Sequence, residues 1–318
     1  MASGDVVHSV RTLPYSSNIS PSITERLGQK TRRRFCCCTG FLPHPDVRAP
    51  VLSAFRRYHR VAPDYPGFGH SEWPDPRKFP YMFDHIAETM NHFTEALGLS
   101  RYTLYRQDYG GPLGFRMALT HPDRIDGLIV QDAVAHNESL GAIWKTRRAF
   151  WADRAPPTKT RFVPTPCRCR RRGRAMSEAI PPWNAMTPIC WTDEFALLNQ
   201  PGQVEIQSDL FYDYRTNVDN DPRWQACIHE KQPRLLVIWG KYDLSFDLGE
   251  PERYRKDVPK TQVHVLDAGH FALDAESCRR GALDEAFQTD PSCYDACRNL
   301  KDRRPKELFH STIELKRP

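Results

Sequence analysis

The 318-residue sequence lacks any uninterrupted apolar run of about 18 residues, the length that a transmembrane helix requires. Its first residues also lack the apolar stretch that marks a secretory signal peptide. From these absences we expect a cytoplasmic protein with no membrane partner. The chain is long enough to bury a sizeable core, as one large domain or as a domain with an insertion.

The basic segments lack the aromatic residues that a nucleic-acid surface would carry. The net charge is +6, and much of the excess lies in two arginine runs, Arg32–Arg34 and residues 168–174. No aromatic residue is interleaved with either run. Runs of like charge are usually solvated segments, so we expect no nucleic-acid partner.

The ten cysteines lack the spacing of a zinc site. Three are adjacent, from Cys36 to Cys38, and only Cys227 lies in a stretch with ordinary globular patterning. The remaining six lie in a Pro/Arg-rich middle or near the C-terminus: Cys167, Cys169, Cys190, Cys278, Cys293 and Cys297. We therefore expect reduced thiols, no bound metal and no cofactor.

Strands and helices alternate along the readable parts of the chain. Apolar and β-branched runs predict strands, and apolar residues at spacings of three and four predict helices. The predicted strands are 35–38, 58–63, a strand from Tyr102, 125–131, 234–240 and 262–266, and the predicted helices are 81–97, 112–121, 142–151 and 250–257. This order predicts an α/β fold with a mostly parallel sheet covered by helices.

The strand from Tyr102 ends in Asp108-Tyr109-Gly110-Gly111, and a helical pattern follows at once. A sharp strand-to-helix turn that carries a reactive side chain is the nucleophile-elbow arrangement. Asp108 would be that side chain, although an aspartate at this place can also serve as a helix cap.

Two further polar residues follow predicted strands. Asp243 comes after the strand that ends at Gly240, and His270 comes after the last strand. The carboxyl ends of parallel strands meet at one edge of a sheet, where ligands bind. We therefore expect Asp108, Asp243 and His270 to form a nucleophile–acid–histidine site.

Four segments resemble the α/β-hydrolase superfamily, in its epoxide hydrolase and haloalkane dehalogenase branch. They are RVAPDYPGFGHS at 60–71, YRQDYGG at 105–111, GKYD at 240–243 and DAGHF at 267–271. The resemblance covers residues 58–153 and 191–274, and it implies a sheet of about eight strands with a helical cap inserted after the sixth. The implied division is a poorly patterned segment (1–38), core (39–135), cap (136–232, with 155–190 atypical), core (233–275) and an atypical tail (276–318).

An aspartate nucleophile suits displacement at a saturated carbon, because a carboxylate forms an alkyl ester there. His270, held by Asp243, would then activate the water that hydrolyses the ester. The N–H of Tyr109 is a candidate oxyanion donor. The resemblance implies Phe41 as the second donor, although the His and Pro of the family's His-Gly-x-Pro turn are missing here.

The leaving group decides the substrate class. Epoxide hydrolases supply cap tyrosines as proton donors, and this chain offers Tyr212 and Tyr214, of which Tyr212 is slightly preferred. Halide sites often use a tryptophan directly after the nucleophile, where this chain has Tyr109, although Trp183 and Trp191 are available. We expect a small-molecule epoxide, with haloalkane hydrolysis as the alternative. The sequence does not determine the oligomeric state.

Two other classes compete with an active enzyme. Residues 1–57, 155–190 and 275–318 share high Cys, Pro and Arg content without periodicity, as out-of-frame translation would. A chain altered in this way would lack one or two strands, part of the cap and the closing helix. The second alternative is a protein that binds a ligand in the cap pocket without turnover.

Overall fold

The computed structural model describes residues 59–69, 71–154 and 196–272, together with the backbone of three earlier strands. Eight strands form one sheet: β1 (Arg11–Thr12), β2 (Ser22–Leu27), β3 (Arg34–Cys38), β4 (His59–Pro63), β5 (Tyr102–Gln107), β6 (Ile125–Gln131), β7 (Leu235–Gly240) and β8 (Gln262–Leu266). Their order is β1-β2-β4-β3-β5-β6-β7-β8. All pairs from β4 to β8 are parallel, and β2 pairs antiparallel with β1 and β4.

Six helices of at least two turns lie in the described part of the chain: α1 (Phe83–Ala96), α2 (Gly110–Thr120), α3 (Trp144–Ala152), α4 (Gln203–Asp213), α5 (Arg215–Lys231) and α6 (Glu250–Asp257). Short 3-10 turns occupy Pro122–Arg124 and Asn137–Ser139. The apolar stripe of α1 is buried, and Gly98 adopts a positive φ of 65° just after that helix ends. None of the described helices is both long and apolar enough to cross a bilayer.

The central strands are buried on both faces, as expected for a parallel sheet covered by helices. Every residue of β7 is buried, and so are the last five residues of β6. Aromatic side chains from several helices join the same core, among them Phe115 on α2, Trp224 on α5 and Tyr254 on α6. The predicted α/β fold with a mostly parallel sheet is confirmed.

The expectation that the chain lacks one or two strands is wrong. The sheet contains eight strands, including β1 and β2, which the sequence analysis did not find. The predicted helix at 112–121 begins two residues earlier, at Gly110, because the turn after β5 leads directly into it. The long helix α5 was not predicted at all.

The segment between β6 and β7 is the insertion predicted to form a cap. Its described helices are α3, α4 and α5. Helix α5 packs against α2 and α6, which flank the sheet. The boundaries proposed for the cap and for the two core segments stay predictions.

A buried ionic cluster lies where α5 meets α6 and the chain that leaves β6. His136 bridges two carboxylates: its Nδ1 lies 2.9 Å from Glu250 Oε1, and its Nε2 lies 2.9 Å from Asp257 Oδ2. Burial lowers the pKa of His136, but Glu250 and Asp257 outweigh it, so the net shift is upward. Asp221 on α5 lies within the electrostatic reach of this cluster, and burial followed by the charge of Glu250 raises its pKa to about 8.

We expect an Asp221→Asn variant to be more stable than the wild type at pH 9 and about equally stable near pH 4. The folded state keeps a proton on Asp221 that the unfolded chain releases above pH 3.8. Stability therefore falls as the pH rises from about 4 to about 8. The rise in pKa from 3.8 to about 8 corresponds to a loss of about 6 kcal/mol by pH 9. At roughly 2–4 °C per kcal/mol, we expect the asparagine variant to melt more than about 10 °C higher there.

Thermal melts from pH 4 to pH 9 measure this difference, with Asp219→Asn as the matched control. Asp219 lies on the exposed side of the same helix, so its replacement tests for a general effect of removing charge from α5. A difference in Tm between the wild type and Asp221→Asn that stays constant from pH 4 to pH 9 would contradict the prediction.

Candidate active site

Asp108 occupies the corner between β5 and α2. Its φ is 47°, a left-handed conformation that is uncommon for residues other than glycine. The tight turn brings the start of α2 close to the end of β6, where a Cβ on Gly111 would lie 2.6 Å from the Cβ of Ala133. The side chain of Asp108 is 17% exposed, so it remains accessible at the carboxyl edge of the sheet.

His270 lies between Asp108 and Asp243. Its Nδ1 is 2.9 Å from Asp243 Oδ2, and its Nε2 is 3.8 Å from Asp108 Oδ1. Burial lowers the pKa of His270, but the carboxylates of Asp243 and Asp108 outweigh it and hold the pKa well above its usual range. The structure thus brings together the three side chains that the order of the strands predicts.

The backbone after β7 fixes Asp243. The Oδ1 atom of Asp243 accepts hydrogen bonds from the N–H groups of Ser245, at 2.6 Å, and Phe246, at 3.3 Å. Its Oδ2 atom is left for His270. The glycine of the GKYD segment is required here, since a Cβ on Gly240 would collide with the carbonyl oxygen of Gly269, next to His270.

Asp132 is a third acid of this site, and it was not predicted from the sequence. It follows β6 with a φ of 42°, it is fully buried, and its Oδ1 accepts a hydrogen bond from the N–H of Gly240 at 2.8 Å. Burial and the nearby charge of Asp243 hold its pKa well above the ordinary value. Both effects favour the neutral form of this carboxyl group. Its place after a strand of the sheet was the signal that could have revealed it.

An aromatic wall, defined as Phe83, Tyr109, Trp144, Tyr214 and Phe246, adjoins the triad. The ring of Tyr109 lies 5.3 Å from Phe83 and 6.1 Å from Tyr214, measured between centroids. Trp144 lies 4.4 Å from Tyr214 and 5.9 Å from Phe246. Phe246 in turn lies 5.5 Å from the ring of His270. Only Tyr109 and Tyr214 of these five were singled out from the sequence.

The two candidate tyrosines of the insertion lie in different environments. Tyr212 is half-buried, and the guanidinium groups of Arg154 and Arg215 lie 4.4 Å and 3.7 Å from the centre of its ring. Tyr214 is buried in the aromatic wall, where burial and then the charge of Asp108 raise its pKa well above the usual value. The geometry therefore favours Tyr214, and the initial preference for Tyr212 is replaced. Because Tyr212 and Tyr214 are two residues apart on a helical segment, their side chains point in directions that differ by roughly 200° around the helix axis.

Hydrogen bonds between the insertion and the core hold Tyr214 in place. The preceding residue, Asp213, accepts a hydrogen bond from the N–H of Phe83 at 2.8 Å. On the other side, Arg116 of α2 donates to Asn217 at 2.7 Å and to Thr216 at 3.0 Å. Residues on both sides of Tyr214 are thus attached to α1 and α2.

Of the remaining predicted site residues, the structure describes Tyr109 but not Phe41 or the two candidate tryptophans. Tyr109 lies directly before the first residue of α2, where backbone N–H groups and the helix dipole favour negative charge. Phe41, Trp183 and Trp191 lie outside the described residues. Within the described ranges, no cluster of three or more His, Cys, Asp or Glu side chains has the arrangement of a metal site.

Comparisons with known proteins agree with this architecture. A family profile described as alpha/beta hydrolase fold matches residues 33–277. An uncharacterized hydrolase of Saccharomyces cerevisiae is 33% identical over 233 residues, which span 71% of this chain and 77% of the yeast protein. Haloalkane dehalogenase 2 of Mycobacterium tuberculosis is 42% identical, but over only 81 residues, or 25% of this chain and 28% of that protein.

Solved structures show the same fold at low sequence identity. Haloalkane dehalogenase DbeA from Bradyrhizobium elkani superimposes with a TM-score of 0.67 at 16% identity, covering 94% of this chain and 99% of that one. The family profile matches well over half of the sequence. The chain therefore belongs to the alpha/beta-hydrolase fold family and is a hydrolase.

Proposed function

We propose that the protein hydrolyses epoxides to diols through an ester formed on Asp108. The observation that supports this most directly is the position of His270, within 3.8 Å of Asp108 and hydrogen-bonded to Asp243. A carboxylate at the elbow suits attack on a saturated carbon, whereas a serine at the same place suits acyl transfer.

In the first step, an oxygen of Asp108 forms a bond to an epoxide carbon while the bond from that carbon to the ring oxygen breaks. The ring oxygen takes a proton from the hydroxyl of Tyr214. Burial and the charge of Asp108 keep this phenol protonated, because both raise its pKa. A neutral phenol can donate the hydrogen bond that a developing alkoxide needs.

In the second step, His270 takes a proton from water, and the resulting hydroxide attacks the carbonyl carbon of the ester. Esterification removes the negative charge of Asp108, which is one of the causes that raise the pKa of His270. Forming the ester therefore makes the imidazole easier to deprotonate, as a general base requires. The N–H of Tyr109, together with Phe41, would stabilise the oxyanion. When this intermediate collapses, the departing diol oxygen takes the proton from His270, and the carboxyl group left on Asp108 returns its proton to the phenolate of Tyr214, so all three side chains are restored.

Haloalkane hydrolysis is the second candidate, and the partial similarity to a haloalkane dehalogenase favours it. Among the residues that the structure describes, the indole N–H groups near the triad argue against a halide site. Trp144 donates its N–H to the carbonyl oxygen of Ser245 at 2.7 Å, and Trp151 donates to that of Phe211 at 2.9 Å. Neither group is therefore available to bind a halide, while the Tyr214 hydroxyl can protonate an alkoxide.

A screen of epoxides against haloalkanes of matched size tests the proposal. We expect Tyr214→Phe to lower kcat for epoxides by roughly 10²–10⁴-fold, the range typical of a lost general acid. Tyr212→Phe is the matched control and should leave epoxide turnover within about twofold, since its ring stacks on arginines away from the aromatic wall.

The same variants separate the competing functions. A dehalogenase would turn over haloalkanes but not epoxides, and Tyr214→Phe would not selectively impair it. A protein that only binds ligands would turn over neither class although it melts cooperatively. If the chain were damaged, no cooperative thermal transition would be seen by circular dichroism.

A further inference from the structure

We infer that Arg116 is a positioning residue of the proposed reaction, which fixes Tyr214 in place and thereby sets the rate at which the ester forms. This inference rests on the proposed function, because it assigns a further residue to the first step of that reaction. Arg116 lies on α2, about two turns after the corner occupied by Asp108. It is only 7% exposed, and its hydrogen bonds lead to the two residues that follow Tyr214 by two and three positions.

The guanidinium group of Arg116 joins three helices. Its Nε donates to the carboxylate of Asp84 on α1, and its Nη1 donates to the carbonyl oxygen of Pro112 in its own helix. Nη1 also donates to Asn217 Oδ1 at 2.7 Å, and Nη2 donates to Thr216 Oγ1 at 3.0 Å, both in the first turn of α5. The planar fork of an arginine, with its several N–H groups, is suited to hold acceptors on different helices at once.

Two relays of hydrogen bonds continue from Arg116 to the backbone around Tyr214. The hydroxyl of Thr216 accepts from Arg116 and donates to the carbonyl oxygen of Asp213 at 2.8 Å. The side chain of Asn217 accepts from Arg116, and its backbone N–H donates to the carbonyl oxygen of Tyr214 at 3.0 Å. Tyr214 is the single residue between α4 and α5, so both relays fix the junction from which its ring projects.

Arg116 also lies close to the aromatic wall. Its guanidinium carbon is 5.4 Å from the ring centre of Phe83, and that ring lies 5.7 Å from the ring of Tyr214. The N–H of Phe83 in turn donates to the carboxylate of Asp213. Arg116 therefore supports both the backbone and the ring packing of Tyr214. A catalytic group that is displaced by about 1 Å can lose about 10²-fold in rate, so such support has a large effect on the reaction.

Stability alone does not account for a buried cation at this place. Burial lowers the pKa of Arg116, although Asp84 and Asp213 act in the opposite direction. The side chain of Asp84 is 77% exposed, so its ion pair with Arg116 contributes little. The first turn of α5 also favours negative charge, because of the helix dipole. What Arg116 provides, and an apolar residue would not, is the pair of relays to the junction.

The rate of ester formation in a His270→Gln background tests the inference, because that variant lacks the base of the second step. Mass spectrometry follows the adduct over time at several epoxide concentrations. We expect Arg116→Met to lower the maximal rate by about 10–100-fold. The epoxide concentration that gives half of this rate should change by less than about twofold, since Arg116 does not touch the substrate. In a Tyr214→Phe background the same substitution should cost less than about twofold, as expected for residues that act as a unit.

Two further variants complete the comparison. Thr216→Val keeps Arg116 and removes one relay, so it should slow ester formation by about threefold or more even if Arg116→Met does not fold. Arg124→Met is the matched control and should change nothing, because Arg124 pairs with Glu95, at 3.0 Å, near the other end of α1. The inference is overturned if Arg116→Met costs as much in the Tyr214→Phe background as with Tyr214 present. It is also overturned if the substitution lowers only the fraction of molecules that react, or leaves the rate unchanged.

Hydrogen–deuterium exchange tests the support of Tyr214 without any reaction. We expect the amides of residues 210–220 to exchange at least about tenfold faster in Arg116→Met, and at the normal rate in Arg124→Met. Unchanged exchange at these residues, or faster exchange that extends through β6 and β7, would overturn the inference. If the His270→Gln reference forms no ester, the proposed function fails. Faster exchange confined to residues 210–220 would then still support Arg116 as the residue that holds Tyr214.

Discussion

A His270→Gln variant mixed with an epoxide is expected to stop halfway, with the whole substrate bound to Asp108 as an ester. The first step needs only the carboxylate and a proton donor, so it survives the substitution. The second step loses its general base, which we expect to lower steady-state turnover by about 10³-fold. Glutamine can still hydrogen-bond Asp243, so the segments around the site retain their contact.

Intact-protein mass spectrometry measures this intermediate and also reveals the substrate class. Opening of an epoxide adds the full mass of the substrate, whereas displacement of a halide adds that mass minus the hydrogen halide. Peptide mapping should locate the ester on Asp108. His229→Gln, an exposed histidine of α5, is the control and should show full turnover without an adduct. An ester on any other residue, or no adduct at undiminished turnover, would contradict the mechanism.

The parallel core and the meeting of Asp108, Asp243 and His270 were predictable because they follow from local rules. Continuous apolar runs become buried central strands, as β6 and β7 do. Parallel strands bring their carboxyl ends to one edge, so residues far apart in sequence, such as Asp108 and His270, meet without any long-range information. The eight strands and the alpha/beta-hydrolase fold expected from the four quoted segments are confirmed.

Helix α5 and strand β2 were not predicted because neither has the regular apolar spacing from which helices and strands are predicted. Helix α5 buries Asn217, Asp221, Trp224 and Ile228, so half of its inner face is polar and it shows no apolar stripe. In β2, positions 23, 25 and 27 alternate along the strand, and the charged Glu25 interrupts the apolar pattern set by Ile23 and Leu27. The pairing of β2 with β4 is also irregular between Ile23 and Glu25.

The raised pKa of Asp132 and the choice of Tyr214 over Tyr212 depend on three-dimensional neighbours. The pKa of Asp132 is raised because the residue is buried and lies near the charge of Asp243, which follows a different strand. Tyr214 lies against Tyr109, the residue after Asp108, and hydrogen bonds from α1 and α2 hold the residues on both sides of Tyr214. Neither environment is encoded within a short window of sequence.

Asp108→Gly and Asp108→Ala are both expected to abolish turnover, yet the glycine variant should be the more stable of the two. Either substitution removes the nucleophile, and we expect activity to fall by about 10⁴-fold or more. The two variants differ at the backbone. A φ of 47° costs a residue with a Cβ roughly 1–2 kcal/mol, while glycine adopts it freely.

The comparison isolates strain at the elbow, because both variants lose the same carboxylate and the same contact with His270. We expect the glycine variant to unfold at a temperature about 2–4 °C higher, which corresponds to roughly 1 kcal/mol at this size. The matched control is Asp126, an exposed residue of β6 that is not among those with a positive φ. There the order should reverse, since glycine weakens a strand relative to alanine. If Asp108→Gly were no more stable than Asp108→Ala, the elbow would store no strain. If either variant retained turnover, Asp108 would not be the nucleophile, and the reaction would need a different residue at this corner of the sheet.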